Sequence, residues 1–155
     1  VRVLAIDTLE EYSALIPGKV GRQIDYLKRI IAELKSENSP GQEIVIVGHS
    51  MGGIVAKIIG CGLKDSRVIS IVAPQEPPIP LPSMQTFFKQ LPNECPNLLE
   101  ITAGLSDIQV SDTVNSSSGV KCRIDRVPLS WSDPHHQGAM WSNSLMRALA
   151  DHILR

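Results

Sequence analysis

EIVIVGHSMGGIVAKIIGCGL, residues Glu43–Leu63, holds most of what sets the fold. Its first seven residues form a near-continuous apolar, β-branched run, the pattern of a strand covered on both faces. From there on, Met51, Ile54, Val55, Ile58, Ile59 and Leu63 recur at helical spacing, and Gly60 and Gly62 loosen the end of that helix. Between strand and helix lies Gly48-His49-Ser50-Met51-Gly52, a G-x-S-x-G. In this context the motif reads as a nucleophile elbow, a sharp strand-to-helix turn that exposes the Ser50 hydroxyl above the sheet edge. Gly48, Gly52 and Gly53 leave room for neighbouring backbone. The helix aims its N-terminal amides and dipole at developing negative charge, which makes the Met51 amide an oxyanion donor. The plainer reading of the same residues is a glycine-rich turn with Ser50 as an N-cap.

The flanking sequence extends this unit. Val1–Asp7 (VRVLAID) and Arg67–Ala73 (RVISIVA) resemble the elbow strand in composition and read as strands. In GRQIDYLKRIIAELKSE, Ile24, Leu27, Ile30, Ile31 and Leu34 line one face of an amphipathic helix, which NSPG at Asn38–Gly41 stops. Strand, helix, strand, helix, strand in this order implies right-handed crossovers and a parallel sheet. Residues 74–96 hold seven of the eleven prolines and read as a cap or connecting segment with a short helix around Ser83–Leu91. Asn97–Ala103 (NLLEITA) reads as a fourth strand, Cys122–Val127 as a weaker fifth, and Ala139–Leu154 as a closing helix. No repeat or linker divides residues 1–155, so a single domain is expected.

Composition narrows the function classes. The 155 residues are 43% apolar and 20% charged with a net charge of −1, so no basic surplus exists to hold a nucleic acid. No run approaches the roughly 18 apolar residues of a bilayer span, and the first residues lack the order of a secretory signal. The three cysteines, Cys61, Cys95 and Cys122, have no zinc-ligand spacing, so no metal site is expected. Neither a Walker-type phosphate loop nor a G-x-G-x-x-G occurs, and the chemistry suggested by the elbow needs no cofactor.

A serine hydroxyl needs a base, and the base needs a carboxylate to orient it. Of the four histidines, His49 lies inside the elbow with its side chain directed away from that of Ser50, and His152 falls in the last helical turn. Both read as structural. His135 and His136 occupy a loop between the fifth strand and the closing helix, where the base falls when the chain order is serine, acid, histidine. Asp107, four residues past NLLEITA, is the carboxylate best placed after a strand; Asp112 and Asp125 lie farther along, and Asp133 is too near His136 in sequence to reach its far ring nitrogen easily.

GHSMGGIVAK at Gly48–Lys57, AGLSDIQV at Ala103–Val110 and HQGAMW at His136–Trp141 together resemble the catalytic landmarks of the GPI inositol-deacylases, whose lipase-like α/β-hydrolase domain faces the endoplasmic reticulum lumen. IDTLEEYSAL near the start and the helix after it share the likeness, so it covers most of the chain. The resemblance implies an α/β-hydrolase-like fold, mostly parallel sheet flanked by helices and lacking the first strands. It assigns Ser50 as nucleophile, Asp107 as acid and His136, rather than His135, as base. The implied enzyme is a carboxylic ester hydrolase that removes the fatty acyl group from the inositol of GPI-anchored proteins. Its substrate would be such a protein or a lipid ester, and its place the lumenal side of the endoplasmic reticulum membrane, with any membrane association made through parts of a longer chain. Another lipase or carboxylesterase, or a truncated fragment that binds without turnover, are the other readings.

Phe87 and Phe88, with Leu81 and Met84, follow a strand that ends near Ser50 and are expected to line an acyl-chain channel; packing of the cap onto the core accounts for them equally well. Family members tend to carry Thr-Pro-His where Ala73-Pro74-Gln75 stands here. The second oxyanion amide is expected from a loop after an earlier strand, upstream of Val1. Asn115-Ser116-Ser117 is a glycosylation sequon that suits a lumenal family, and Cys95 with Cys122 is the candidate disulfide there.

Overall fold

The computed structural model describes residues 2–6, 16–37, 39, 41–102, 104–110, 119–130 and 134–154. Helix α1 (Pro17–Glu37) precedes β1 (Ile44–His49), α2 (Met51–Gly60) and β2 (Ser66–Ile71). Next come α3 (Pro82–Phe88), β3 (Leu98–Thr102) and β4 (Val120–Arg123), then a 3₁₀ turn at Ile124–Arg126 and the helices α4 (Gly138–Trp141) and α5 (Asn143–Leu154). The four strands form one parallel sheet in the order β1-β2-β3-β4. Helices flank it on both faces, as the strand and helix periodicities imply.

Alternation along the strands separates two cores. Ile44 and Ile46 of β1 face the side where Val20, Ile24, Ile54, Met84 and Phe88 join α1, α2 and α3. Ile69, Ile71 and Ile101 face the other side and meet Leu145 and Leu149 of α5. Each register rung therefore has a common direction. Gly48, Ser70, Glu100 and Lys121 share one rung, and His49, Ile71, Ile101 and Cys122 share the next, on the opposite face. α1 begins four residues before the stretch the apolar stripe marks, at Pro17, which suits a first helical position because its missing N–H would have no intrahelical partner.

Three expectations change. Residues 2–6 of the run read as a first strand have no regular structure and pair with no described strand; Val3 is 85% exposed. An apolar run becomes a strand only where a neighbour completes its ladder. The fifth strand is shorter than its sequence suggests, because after Arg123 the backbone tightens into the 3₁₀ turn, with the Arg123 guanidinium donating to Asp125 from Nε at 2.6 Å. The closing helix is two helices, broken at Ser142.

The cysteine pairing is also corrected. Cys61 is bonded to Cys95, and Cys122 is a thiol whose pKa burial pushes up. Topology explains the choice. Helix α2 runs antiparallel to the strands and delivers Cys61 at its C-cap to the edge where the strands start, where Cys95 stands just before β3. Cys122 lies within β4, opposite Ile101. The bridge closes a loop across a separation of 34 residues that contains β2 and the proline-rich segment. Cys95→Ser is expected to lower unfolding free energy by about 3–4 kcal/mol, from the entropy returned to the unfolded chain. Denaturant melts of the variant and of the reduced parent check this, and agreement between the two attributes the loss to the cross-link.

Candidate active site

β1, one of the two outermost of the described strands, ends at the sheet's C-terminal edge, and the chain reverses into α2 through one residue, Ser50, at φ 55° and ψ −128°. A non-glycine residue there is strained by about 1–3 kcal/mol, so its neighbours must hold it. The Ser50 amide donates to the Ile71 carbonyl at 2.9 Å, and the Gly53 amide donates to the Ser50 carbonyl at 2.9 Å. Two of the three glycines are required by contact, whereas a Cβ at Gly52 would meet nothing within 4 Å, so the room expected of Gly52 is not used. A Cβ at Gly48 would stand 2.2 Å from the Gly52 carbonyl oxygen, and one at Gly53 would stand 2.6 Å from Ser70 Oγ. The Ser50 side chain makes no capping bond to α2, so the N-cap reading fails and the hydroxyl is directed elsewhere.

It is directed at His136. Ser50 Oγ and His136 Nε2 are 2.8 Å apart, and His136 Nδ1 is 2.8 Å from Asp107 Oδ2. A carboxylate only accepts, so Nδ1 carries the proton it donates to Asp107, which leaves Nε2 to accept from the serine hydroxyl. The Asp107 side chain is fully buried. Its other oxygen, Oδ1, accepts from the backbone amides of Gln109 at 2.8 Å and Val110 at 3.0 Å, which fixes the carboxylate plane. The structure thus brings together three residues 86 and 29 positions apart in sequence.

The neighbouring histidine is separated cleanly. His135 is exposed, and its Nδ1 accepts from the Gly138 amide at 3.2 Å. His152 is exposed on α5, and Asp125 pairs with Arg123. Asp112, Asp133 and the sequon at Asn115 lie outside the described residues. The Met51 amide opens α2, where the first backbone N–H groups have no intrahelical acceptor. Phe88 is buried, and Phe87 packs at the margin, in the apolar cluster that also holds Met51 and Met84. A cavity of about 520 Å³ lies along α5, and another of about 220 Å³ lies beside β2 and β3; neither is lined by Ser50, Asp107 or His136. Among the described residues no group of three or more His, Cys, Asp or Glu could hold a metal ion.

Sequence reading missed two features around the site. His49 is tied to the backbone of the base, its Nε2 lying 3.1 Å from the His136 carbonyl oxygen. Beneath the elbow, Glu100 of β3 is buried against Lys57 of α2 and accepts from the Gln75 side chain at 2.7 Å. Lys57 and Glu100 are charges within apolar patterns, the one signal that could have paired them.

Comparison with known proteins gives the family of the chain. The chain matches the PGAP1-like alpha/beta domain over residues 1–155. A Xenopus laevis protein named GPI inositol-deacylase is 26% identical over 183 residues, covering 97% of this chain and 20% of that protein. One of the same name from Candida albicans is 27% identical over 143 residues, covering 85% and 35%. A Drosophila melanogaster protein of that name is 37% identical over 81 residues, covering 48% and 8%. The chain therefore spans between about a fifth and a third of the length of the first two relatives. With the match running from its first residue to its last, the chain belongs to the PGAP1-like alpha/beta domain family.

Proposed function

We propose that the chain is the catalytic part of a serine ester hydrolase acting as a GPI inositol-deacylase. The observation that carries this is the continuous hydrogen-bonded path from Ser50 through His136 to Asp107, starting at a strained elbow. Ser50 Oγ attacks the ester carbonyl carbon while His136 Nε2 takes the hydroxyl proton. Asp107 stabilises the resulting imidazolium, and the Met51 amide donates to the oxyanion. The imidazolium then protonates the departing inositol oxygen, leaving an acyl-serine. Water, activated by the same histidine, releases the fatty acid and restores Ser50.

The relatives' names support the inositol-linked acyl ester as substrate. Residues 74–96 act as a cap in this proposal, tied at one end by Gln75 to Glu100 and at the other by Cys95 to Cys61. Phe87 and Phe88 would wall an acyl path that begins at Met51, since they share its apolar cluster. A lumenal location fits the disulfide, which persists in oxidising compartments. No described helix is long and apolar enough to cross a membrane.

The test offers acylated inositol phospholipid and a simple long-chain ester side by side and measures released fatty acid. The proposal expects both to be cleaved, with inositol-linked acyl preferred, and expects Phe87→Ala to shift the preferred chain length. Cleavage of the simple ester alone would make the protein a general lipase or carboxylesterase. Absence of fluorophosphonate labelling at Ser50 would make it a binding fragment.

A further inference from the structure

We infer that His49 is a positioning residue, which donates a hydrogen bond from Nε2 to the His136 carbonyl oxygen and so fixes the base against the nucleophile. This rests on the serine-hydrolase reading of Ser50. A carbonyl oxygen only accepts, so at 3.1 Å the proton belongs to His49 Nε2, and the neutral ring leaves its Nδ1 bare. The connection closes a ring of bonds. His49 is joined by the peptide to Ser50, its side chain holds the backbone of His136, and the His136 side chain returns to Ser50 Oγ at 2.8 Å.

Register makes this possible. His49 projects on the same face as Ile71 and Ile101, the α5 side, while Gly48 before it faces α2. The loop bearing His136 enters α4 and α5 on that same side. His49 can therefore reach the backbone of the base loop from the elbow, while Gly48 before it has no side chain and lies on the other face. Such a tether matters because His136 sits in a short loop, and misplacement of a base by about 1 Å can cost roughly 100-fold in rate.

The two rings are also close, with centroids 5.0 Å apart at 42°. His136 becomes an imidazolium during turnover, and a second imidazolium at that distance would oppose it. His49 must therefore remain neutral. Burial, the largest cause, lowers its pKa; the bond to the His136 carbonyl and the charge of Asp107 pull the other way, and the charge of His136 adds to the lowering.

The test uses the full chain with His49→Leu, which removes the donor, and His49→Gln, whose side-chain amide nitrogen can occupy the place of Nε2. Expected for Leu is a kcat loss of roughly 10–100-fold with KM changed less than about twofold, and for Gln a kcat within about threefold of the parent. Proton NMR of the parent and Gln variant should show the low-field Nδ1–H of His136 bonded to Asp107, weakened or exchanging fast in the Leu variant. Nitrogen-15 shifts should show His49 protonated at Nε2 alone. Equal losses in both variants, no loss in either, or a bare His49 Nε2 would overturn the inference. If fluorophosphonate does not label parent Ser50, the hydrolase reading fails, while the low-field proton and the His49 tautomer still decide whether His49 holds His136.

Discussion

Ser50→Ala is expected to lower kcat for acyl ester hydrolysis by about 10⁶, and His136→Ala by a similar factor, with KM little changed. Both remove the covalent step altogether, because a methyl group cannot be acylated and an unassisted serine hydroxyl stays protonated. Asp107→Asn should cost about 10⁴, less than either, since it leaves the nucleophile and base in place but lets the ring settle in the wrong tautomer. The backbone amides of Gln109 and Val110, which donate to Oδ1, would retain an oxygen of the asparagine at 2.8–3.0 Å and preserve the loop. Combining the three substitutions should cost no more than Ser50→Ala alone, because the side chains act as one unit. Burst kinetics with a chromogenic ester, together with fluorophosphonate labelling, check the series. Multiplicative losses would show that the three side chains do not act as one device. Residual turnover above the water rate would come from binding and the Met51 oxyanion donor.

What made this unit legible was the local character of its signals. The elbow carries its own punctuation: β-branched residues before it, glycines within it and helical spacing after it. The order of serine, acid and histidine then limited Asp107 and His136 to two loops. Spacing alone could not choose between His135 and His136; the resemblance did so, and the structure shows one ring turned inward to Ser50 and the other outward.

Features that depend on packing between distant segments were not legible. The Cys61–Cys95 bond follows from two elements meeting at the strand-start edge of the sheet, a fact no cysteine spacing encodes. The first apolar run failed as a strand for a related reason, since its composition was right but its ladder lacked a partner. Val72 shows the limit most sharply. It is a buried β-branched residue at φ 42°, a conformation such side chains avoid, held where its amide donates to the Ile101 carbonyl at 2.7 Å. Nothing in its sequence neighbourhood marks it.

Glu100→Leu should lower unfolding free energy by about 3–5 kcal/mol, which for a chain of this size is a melting-temperature drop of roughly 10 °C. The Lys57 and Glu100 side chains are only 8% and 4% exposed, so the substitution leaves the ammonium buried with its carboxylate gone. The Gln75 amide, which donates to Glu100 at 2.7 Å, loses that acceptor but keeps the Ala73 carbonyl at 3.2 Å. Removal of the other partner should cost less. In Lys57→Met the carboxylate still accepts from Gln75, and the Lys121 ammonium lies 4.0 Å from its second oxygen. The double variant, Lys57→Met with Glu100→Leu, should recover most of the loss, because apolar groups of similar volume need no compensation for desolvation. Thermal melts of the three variants give the coupling directly. The ordering expected is Glu100→Leu least stable, Lys57→Met intermediate and the double variant nearest the parent. Additive losses would mean that the pair is effectively solvated. The same variants show whether the network serves the site. Glu100 shares its rung with Gly48 at the elbow, and Gln75 opens the proposed cap. A double variant that melts like the parent but labels Ser50 more slowly would show that these charges are retained to hold the cap and elbow in register, with stability a secondary result.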